Sequence, residues 1–308
     1  MTTGQASRGI RRGDVYPRPV VDGRELKHGF PARLRARMDS LLVSTGDREE
    51  AELERLIRSQ PGVTRANTIS MISPKGGVGK TTSAFLVGSL LASHLRLRTI
   101  AVDANPDFGT LAALASDRLR PERTLADLIA DIDAVHTVAD LNPYVARLPT
   151  GVHLLGAPTD AELMSKLGPE SYGQLLAFLS IFYEVIVLDL GTGIIDPLAQ
   201  FAIERSDQVV LVTTPEFITS QTVAGALRYL AHERATLVLN RAARRNTADI
   251  RRIEAHFREQ RLRRSVTIPH DERLRTMLDT GTYSLGALDR ATRRPVKLLG
   301  LAVAEQLV

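Results

Sequence analysis

A glycine-rich stretch with two lysines carries the most specific chemistry in the sequence. From Pro74 to Thr82 it reads Pro-Lys-Gly-Gly-Val-Gly-Lys-Thr-Thr. The glycines let the backbone curl so that successive N–H groups face an anion, and a helix that begins here directs its positive end at the same point. We expect Lys80 to meet the β- and γ-phosphates of a nucleotide and Thr81 to bind Mg²⁺. The alternative, a plain glycine-rich turn, does not explain the strand pattern before it and the helix pattern after it.

This loop departs from the common phosphate-loop pattern G-x-x-x-x-G-K-[ST], because Pro74 replaces the first glycine and an additional lysine, Lys75, precedes Gly76. The form resembles the deviant Walker A motif of the ParA/MinD family of ATPases, and the resemblance covers about residues 67–308. It implies that Lys75 reaches the ATP of a partner chain, so that a homodimer encloses two nucleotides. The predicted nucleotide contacts in the loop are Lys75, Gly76, Gly77, Val78, Gly79, Lys80, Thr81 and Thr82.

Asp103 closes the second predicted strand, and Asn105 follows it by two residues. Family members have an Asp-x-Asp pattern here, in the segment called switch I, and the second aspartate helps to position the attacking water. The resemblance therefore assigns Asp103 to the metal and Asn105 to the water. An amide can orient water but cannot accept its proton as a carboxylate does, so we predict slow hydrolysis. Asp107 is an alternative carboxylate, although a solvated loop residue is the simpler interpretation.

Asp189 ends an otherwise apolar strand, Val185–Leu190. A buried acid at such a point is costly unless a partner compensates its charge, and Mg²⁺ acting through a water would do so. The segment resembles the family's Walker B and switch II region; the alternative is a helix N-cap. The predicted metal residues are Thr81, Asp103 and Asp189, and the predicted catalytic residues are Lys75, Lys80, Asn105 and Asp189.

The base pocket is expected at the ends of two later strands. The family places an Asn where Asn240 stands, followed here by Arg241, and Pro269 and Asp271 match a second base-contacting loop. An Asn that ends a strand is also a common turn residue. The N-K-x-D signature for guanine is absent from the sequence, which favours ATP.

Short apolar strands alternate with amphipathic helices after Asn67, which predicts a doubly wound, mostly parallel α/β sheet of the P-loop type. Residues 1–30 are expected to be a flexible basic arm, residues 31–66 a helical extension broken at Gly46 and Asp47, and residues 67–308 the ATPase domain. The predicted strands are Thr68–Ser73, Thr99–Asp103, Val152–Leu155, Val185–Leu190, Gln208–Thr213, Thr236–Asn240 and Ser265–Ile268. The predicted helices are Lys80–His94, Thr124–Asp131, Pro169–Phe182, Phe217–His232, Thr247–Arg258 and Arg293–Leu307.

Composition excludes several classes of protein. The 308 residues include 40 Lys and Arg, 35 Asp and Glu, and no Cys. The lack of cysteine excludes a disulfide scaffold, a thiolate zinc site, a cysteine nucleophile and the iron–sulfur relatives of the family. No apolar run reaches the roughly 18 residues of a membrane helix, and the first residues lack the apolar region of a secretory signal. We therefore expect a cytoplasmic protein.

Nine arginines and three acids lie between Arg241 and Arg264. Such a stretch can bind DNA phosphates without reading bases, or it can be an ordinary solvated helix face. The segment Val296–Val308 has only one lysine, so a basic membrane-binding helix is not expected there. The candidate DNA contacts are Arg244, Arg245, Arg251, Arg252 and Arg258.

Three segments narrow the resemblance: Asp103–Leu111, Asp189–Gly193 and Ala291–Arg294. They are similar to an actinobacterial MinD-like branch that includes EspI-like ATPases linked to type VII secretion loci. The resemblance implies a nucleotide switch that uses ATP and Mg²⁺, dimerises, and works with an activating or cargo partner such as a DNA locus or a secretion apparatus. Two alternatives are a non-hydrolysing ATP-bound scaffold and a metabolic enzyme related to dethiobiotin synthase.

Overall fold

An eight-stranded sheet forms the centre of the described part of the protein. The structure is a computed structural model that describes residues 45–105, 109–194, 196–216, 235–243, 247–259 and 262–308. The strands are β1 (Asn67–Ile72), β2 (Thr99–Ala104), β3 (Val145–Arg147), β4 (His153–Leu155), β5 (Val185–Leu190), β6 (Gln208–Thr213), β7 (Ala235–Ala242) and β8 (Arg264–Pro269). Their order across the sheet is β3-β4-β2-β5-β1-β6-β7-β8, and every pairing is parallel except β3 with β4. The predicted fold class is confirmed.

Helices lie on both sides of this sheet. They are α1 (Thr45–Arg58), α2 (Lys80–His94), α3 (Leu125–Ala130), α4 (Ala161–Ser165), α5 (Pro169–Phe182), α6 (Pro197–Arg205), α7 (Thr247–Glu259), α8 (Glu272–Thr280) and α9 (Arg290–Ala304). Short 3₁₀ turns occupy Leu111–Leu114, Ile132–Ala134 and Leu285–Ala287. None of the described helices is long and apolar enough to cross a membrane.

Strand β5 shows why its sequence is apolar throughout. Ile186 and Leu188 belong to the core on one face of the sheet, which also contains Phe178 of α5. Val185 and Val187 belong to the core on the other face. Neighbouring residues of a strand point to opposite faces, so a strand covered on both faces needs apolar residues at every position. An acid in such a strand must therefore have a specific reason to be there.

Four described elements were not predicted from the sequence: β3, α4, α6 and α8. Strand β3 has only three residues at the antiparallel edge of the sheet, too few to show a periodic pattern. The two longer missed helices do carry start signals: the Asp196 side chain accepts the backbone N–H of Leu198 before α6, and the Asp271 side chain accepts that of Arg273 before α8. Side-chain caps of this kind mark helix starts even where the apolar pattern is weak. The predicted helix Phe217–His232 lies outside the described residues.

The break expected at Gly46 and Asp47 is wrong, because both residues lie in the first turn of α1. Asp47 pairs with Arg290, with 3.1 Å between its Oδ1 and the Arg290 Nη2. An acid in a first turn also interacts favourably with the positive end of the helix. Both effects favour a helical conformation at a position where the sequence alone suggests a turn. Residues 1–44, which include the predicted basic arm, lie outside the described residues.

Helix α1 packs on α9 through a cluster of opposite charges. Lys297 is central to it: its Nζ lies 2.6 Å from the Glu50 Oε1 and 2.6 Å from the Glu54 Oε1, and its side chain is only 9% exposed. Arg293 adds a second contact to Glu50, at 2.9 Å. Burial acts to raise the pKa of Glu50, but the hydrogen bonds and charges of Lys297 and Arg293 outweigh it and the pKa is lowered. The ionised cluster therefore stabilises the folded chain above the ordinary carboxyl pKa and weakens as the pH falls below it.

Replacing Lys297 by Ala should lower the free energy of unfolding by about 3 kcal/mol, because it leaves Glu50 and Glu54 without their shared cation in a partly buried place. Arg294→Ala is the matched control, since the Arg294 Nε and the Glu49 Oε2 are 3.4 Å apart with both side chains half exposed. Exposed pairs contribute at most about 1 kcal/mol. Urea denaturation of both variants checks this, and equal losses would contradict a buried cluster centred on Lys297.

Candidate nucleotide-binding site

The loop between β1 and α2 adopts left-handed backbone conformations at two of its glycines. Gly77 and Gly79 have φ of 73° and 95°, in the left-handed region that glycine adopts most readily. At the start of the loop, the Ser73 hydroxyl accepts the N–H of Lys75 at 3.2 Å and donates to its carbonyl at 2.9 Å. Gly79 is the N-cap of α2. The loop therefore ends at a helix N-terminus, as the predicted phosphate site requires.

Lys80, Thr81 and Asp189 meet at the carboxyl ends of β1 and β5. The Thr81 hydroxyl donates to the Asp189 Oδ2 at 2.5 Å, and the Lys80 Nζ lies 3.7 Å from the Asp189 Oδ1. Lys80 and Asp189 are buried. The ammonium group and hydroxyl of two consecutive residues thus meet a carboxylate more than a hundred residues away in the sequence, beside the glycine loop. Thr82, the next residue, is half-buried.

Asp103 lies beside Asp189, because the two residues are in register on the adjacent strands β2 and β5. Burial first, and then the charge of Asp189, raise the pKa of Asp103 to about 7. Burial also raises the pKa of Asp189, against the lowering effect of Lys80 and Thr81. Two buried carboxylates side by side disfavour each other's ionisation, so this edge of the sheet favours an added positive charge.

The Asp103 carboxylate is held by the chain that follows it. Its Oδ2 accepts the N–H of Leu111 at 2.9 Å and its Oδ1 accepts the N–H of Asn105 at 3.3 Å. A Cβ on Gly109 would lie only 2.2 Å from the carboxylate. Glycine is therefore required for this close approach, a role that the sequence analysis missed. The alternative carboxylate Asp107 lies outside the described residues.

These residues fit a magnesium ion. The Asp189 Oδ1 is buried and accepts no hydrogen bond from any described residue. The set of one hydroxyl and two carboxylates has the hard oxygen donors that Mg²⁺ prefers, and Mg²⁺ commonly takes one or two protein carboxylates and completes its shell with phosphates and water. In the described part of the chain no group of three or more His, Asp or Glu could hold a metal ion by itself.

A cavity of about 440 Å³ opens beside the loop. Lys75 lies on its wall, and the Lys75 Nζ is 2.9 Å from the Glu216 Oε2. Glu216 comes from the segment after β6, and the sequence analysis did not single it out. Both side chains are about half exposed or more, so the pair can open at little cost. The lining residues are Lys75, Gly76, Gly77, Val78, Thr214, Pro215, Glu216, Arg241, Ala243 and Ile250.

Of the four predicted base contacts, Arg241 is the one that lines this cavity. Its φ is 56°, a left-handed conformation that a non-glycine residue rarely adopts, at an irregularity in the pairing of β7 with β8. Asp271 uses both carboxylate oxygens for backbone N–H groups, those of Arg273 and Asp289. Pro269 ends β8 and is half-buried. For Asp271 the structure thus shows a structural role in capping α8.

Asn240 contacts the phosphate loop directly. Its side-chain amide donates to the carbonyl oxygen of Val78 at 2.8 Å, and the residue is buried. A Cβ on Gly79 would lie 2.0 Å from the same nitrogen, so a larger residue at Gly79 would displace the amide. The structure shows that Asn240 anchors the loop, and the base contact predicted for it stays a prediction.

The other predicted residues lie apart from this convergence. Asn105 is half-buried after β2 and contributes its N–H to Asp103. Arg251 and Arg252 are exposed on α7, and Arg258 lies on the same helix. Arg244 and Arg245 lie outside the described residues. DNA binding by these arginines stays a prediction.

The parallel sheet, the left-handed glycines and the meeting of Lys80, Thr81 and Asp189 define a P-loop nucleoside triphosphatase. A family model described as an AAA domain matches residues 66–240, more than half of the chain. The chain belongs to the ParA/MinD family of P-loop ATPases.

Curated relatives share this family. The chain is 27% identical over 298 residues to the ESX-1 secretion-associated protein EspI of Mycobacterium tuberculosis, a match that covers 93% of the chain and 43% of EspI. It is 29% identical over 182 residues to the chromosome-partitioning ATPase Soj of Thermus thermophilus, covering 56% of the chain and 65% of Soj. The chain thus spans less than two thirds of the length of either relative.

Solved structures show the same fold. A ParA family ATPase from Chlorobium tepidum superposes with a TM-score of 0.63 at 22% identity, over 76% of this chain and 98% of that one. The septum site-determining protein MinD from Pyrococcus horikoshii, complexed with Mg-ADP, gives a TM-score of 0.57 at 22% identity. The match covers 76% of this chain and 94% of that MinD chain. At this level of identity the comparison supports the architecture alone.

Replacing Asn240 by Ala should weaken ATP binding at least tenfold. The Val78 carbonyl loses its hydrogen-bond donor, and the phosphate loop is then no longer anchored by this contact. The lost buried hydrogen bond should also lower the free energy of unfolding by about 1–3 kcal/mol. Calorimetric titration with ATP and urea denaturation measure the two effects. Asn142→Ala, at an exposed position, is the control. If Asn240→Ala binds ATP as tightly as the unmodified chain, Asn240 does not anchor the loop.

Proposed function

We propose that this protein binds ATP with Mg²⁺, dimerises in the bound state and hydrolyses ATP slowly, as a nucleotide switch. The observation that carries the proposal is the contact of Thr81 and Lys80 with the two oxygens of Asp189, beside a glycine loop at a helix N-terminus. This arrangement offers a cation, oxygen ligands and backbone donors to one triphosphate. Membership of a family of ATPases supports the same activity.

Each residue of the site has a proposed role. Lys80 neutralises the β- and γ-phosphates, and the N–H groups of residues 76–82 bind their oxygens. Thr81, Asp189 and Asp103 hold Mg²⁺, directly or through water; when bound, the ion supplies positive charge to the phosphates. Positioning and charge account for most of phosphoryl transfer, and the site provides both. Asn105 orients the attacking water without accepting its proton.

The proposed dimer depends on Lys75. In the single chain this lysine pairs with Glu216 on the wall of the cavity, where both side chains are accessible to solvent. We propose that Lys75 exchanges this carboxylate for the phosphates of the partner's ATP. A nucleotide that binds one arrangement of the chains better than the other shifts the population towards it. The dimer thereby presents a surface to a partner protein in one nucleotide state only.

The proposed role is to position or partition a cargo in the cytoplasm. EspI is named for its association with ESX-1 secretion, and its match includes the region before residue 67; this supports a secretion apparatus as the cargo. Soj is named for chromosome partitioning, which supports a DNA locus instead. In either case residues 67–308 form the switch, residues 31–66 a helical extension and residues 1–30 a basic arm. A non-hydrolysing scaffold is the alternative, motivated by Asn105.

Replacing Lys80 by Ala should abolish measurable ATP binding in calorimetry, because the charge that meets the phosphates is gone. Lys166→Ala is the matched control: this exposed lysine pairs with Glu162 at 2.9 Å, away from the loop. Circular dichroism should show that both variants are folded. A folded Lys80→Ala variant with unchanged ATP affinity would place the nucleotide elsewhere.

Replacing Lys75 by Ala should leave ATP binding largely intact but prevent the dimer, since the lysine acts on the partner's nucleotide. Light scattering with ATP should show a dimer for the unmodified chain and a monomer for the variant. Glu216→Gln should do the opposite and favour the dimer, because it frees Lys75 from its carboxylate. An oligomeric state that does not depend on nucleotide would contradict the proposed dimer.

Replacing Asn105 by Asp should increase turnover at saturating ATP with little change in ATP affinity. The substitution replaces the amide by a carboxylate of nearly equal volume, which could act as a general base. A general base typically increases the reaction rate by about 10²–10⁴-fold. Phosphate release measured with excess ATP checks the result, and Asn142→Asp controls for the added charge. Equal or lower turnover would show that Asn105 does not limit the rate.

A further inference from the structure

A second cavity, of about 260 Å³, lies near the end of α2 that is opposite the phosphate loop. It is formed where α2 turns into β2, next to the start of β4 and the end of α5. Its wall is largely apolar and aromatic, with arginines at the rim. Its lining residues include Ala92, Arg96, Arg98, Val138, His153 and Phe182.

The inner wall of this cavity is neutral. The His153 Nδ1 lies 2.8 Å from the hydroxyl of Tyr183, and the two rings meet edge to face with centroids 5.5 Å apart. Burial first, and then the charge of Arg147, lower the pKa of His153 to about 4. The imidazole is therefore uncharged at neutral pH. A neutral aromatic wall suits a large apolar side chain.

The rim carries positive charge. Arg96 and Arg98 are both exposed, and Arg147 lies near enough to act on His153. The Arg98 Nε is 3.5 Å from the Glu184 Oε2, the one carboxylate of the described residues that pairs with these three arginines. Arg96 has φ of 57°, in the left-handed region that L residues rarely adopt. Such backbone strain persists where the surrounding structure imposes it, and it is frequent at binding sites.

Apolar surface continues outside the cavity. Val138, on its wall, is 42% exposed, and Ile181, which precedes Phe182 in α5, is 69% exposed. Val138 lines the cavity and Ile181 adjoins a lining residue in the sequence; exposed apolar surface of this kind is typical of a protein-binding site. Ile181 does not line the cavity, so a small molecule that only fills its 260 Å³ would leave Ile181 in water. The surface is thus wider than the cavity and fits a peptide with one side chain inserted.

We propose that this surface, the Arg96 cavity, binds an acidic segment of a partner protein that inserts one large apolar side chain. The side chain fills the cavity against Phe182 and His153, Val138 and Ile181 cover the flanking residues, and carboxylates of the segment pair with Arg96 and Arg98. Buried aromatic or aliphatic anchors with charged flanks are the usual form of such recognition. Residues 1–44 of this chain do not suit the surface, because they contain nine Lys and Arg and only four Asp and Glu.

Selection from a random twelve-residue peptide library displayed on phage, with the full chain as bait, tests the proposal. We expect enriched peptides to combine Asp or Glu with a Phe, Tyr, Trp or Leu. Synthetic copies should bind in fluorescence anisotropy, and their affinity should fall as salt is added. Enrichment of peptides without acidic residues, or no enrichment, would overturn the proposal.

Two variants of the chain connect such peptides to the Arg96 cavity. Arg96→Gly suits the left-handed backbone, so it should melt at the same or a higher temperature while peptide affinity falls at least tenfold. Val138→Glu should reduce affinity by a similar factor through like-charge repulsion. Arg120→Ala removes an exposed arginine elsewhere and should have no effect. Peptides that bind Arg96→Gly and Val138→Glu as tightly as the unmodified chain would show that the site lies elsewhere.

Discussion

Two carboxylates in register on adjacent buried strands are the constraint on which the rest of the site depends. Asp103 and Asp189 lie side by side at the carboxyl edge of the sheet, where each makes the ionisation of the other less favourable. Lys80 compensates part of that charge, and the Thr81 hydroxyl donates a hydrogen bond to Asp189. Gly109 is the small residue that lets the following chain approach Asp103 and donate to it. The fold thereby builds a place with a deficit of positive charge beside a loop that binds phosphates.

Much of this arrangement could be predicted from the sequence, because its signals are local. The apolar run of β5 ending in Asp189 and the glycine loop before Lys80 follow from residue type and spacing alone. What could not be predicted depends on contacts between distant residues. The donation from Asn240 to Val78 joins residues 162 positions apart, so the pattern around Asn240 indicates only a turn or a base contact. Asp271 is similar: its place after β8 gives no indication of the two backbone N–H groups, those of Arg273 and Asp289, that its carboxylate accepts.

Helix α2 connects three features that the sequence presents as separate. The first residues of α2 form part of the nucleotide site, and its last turn leads into the Arg96 cavity. Helix α1 contacts α2 in addition to α9. The three surfaces are therefore attached to one helix, whose core residues, such as Phe85 and Leu90, are fully buried. The proposed switch and the proposed peptide surface share this buried helix, with the peptide surface beginning at Ala92 in its last turn.

The charge cluster between α1 and α9 has a consequence for synthesis of the chain. Glu50 and Lys297 are 247 residues apart in sequence. During translation the acidic helix α1 leaves the ribosome long before its basic partner exists, so it cannot reach its folded position until residues 290–304 have also emerged. Pairings between such distant segments form late because the intervening loop must first be closed. Until then the acidic side chains of α1 lack the cations of α9, and a segment of this length is at best a marginal helix without tertiary packing, so α1 is expected to become ordered only when residues 290–304 fold against it.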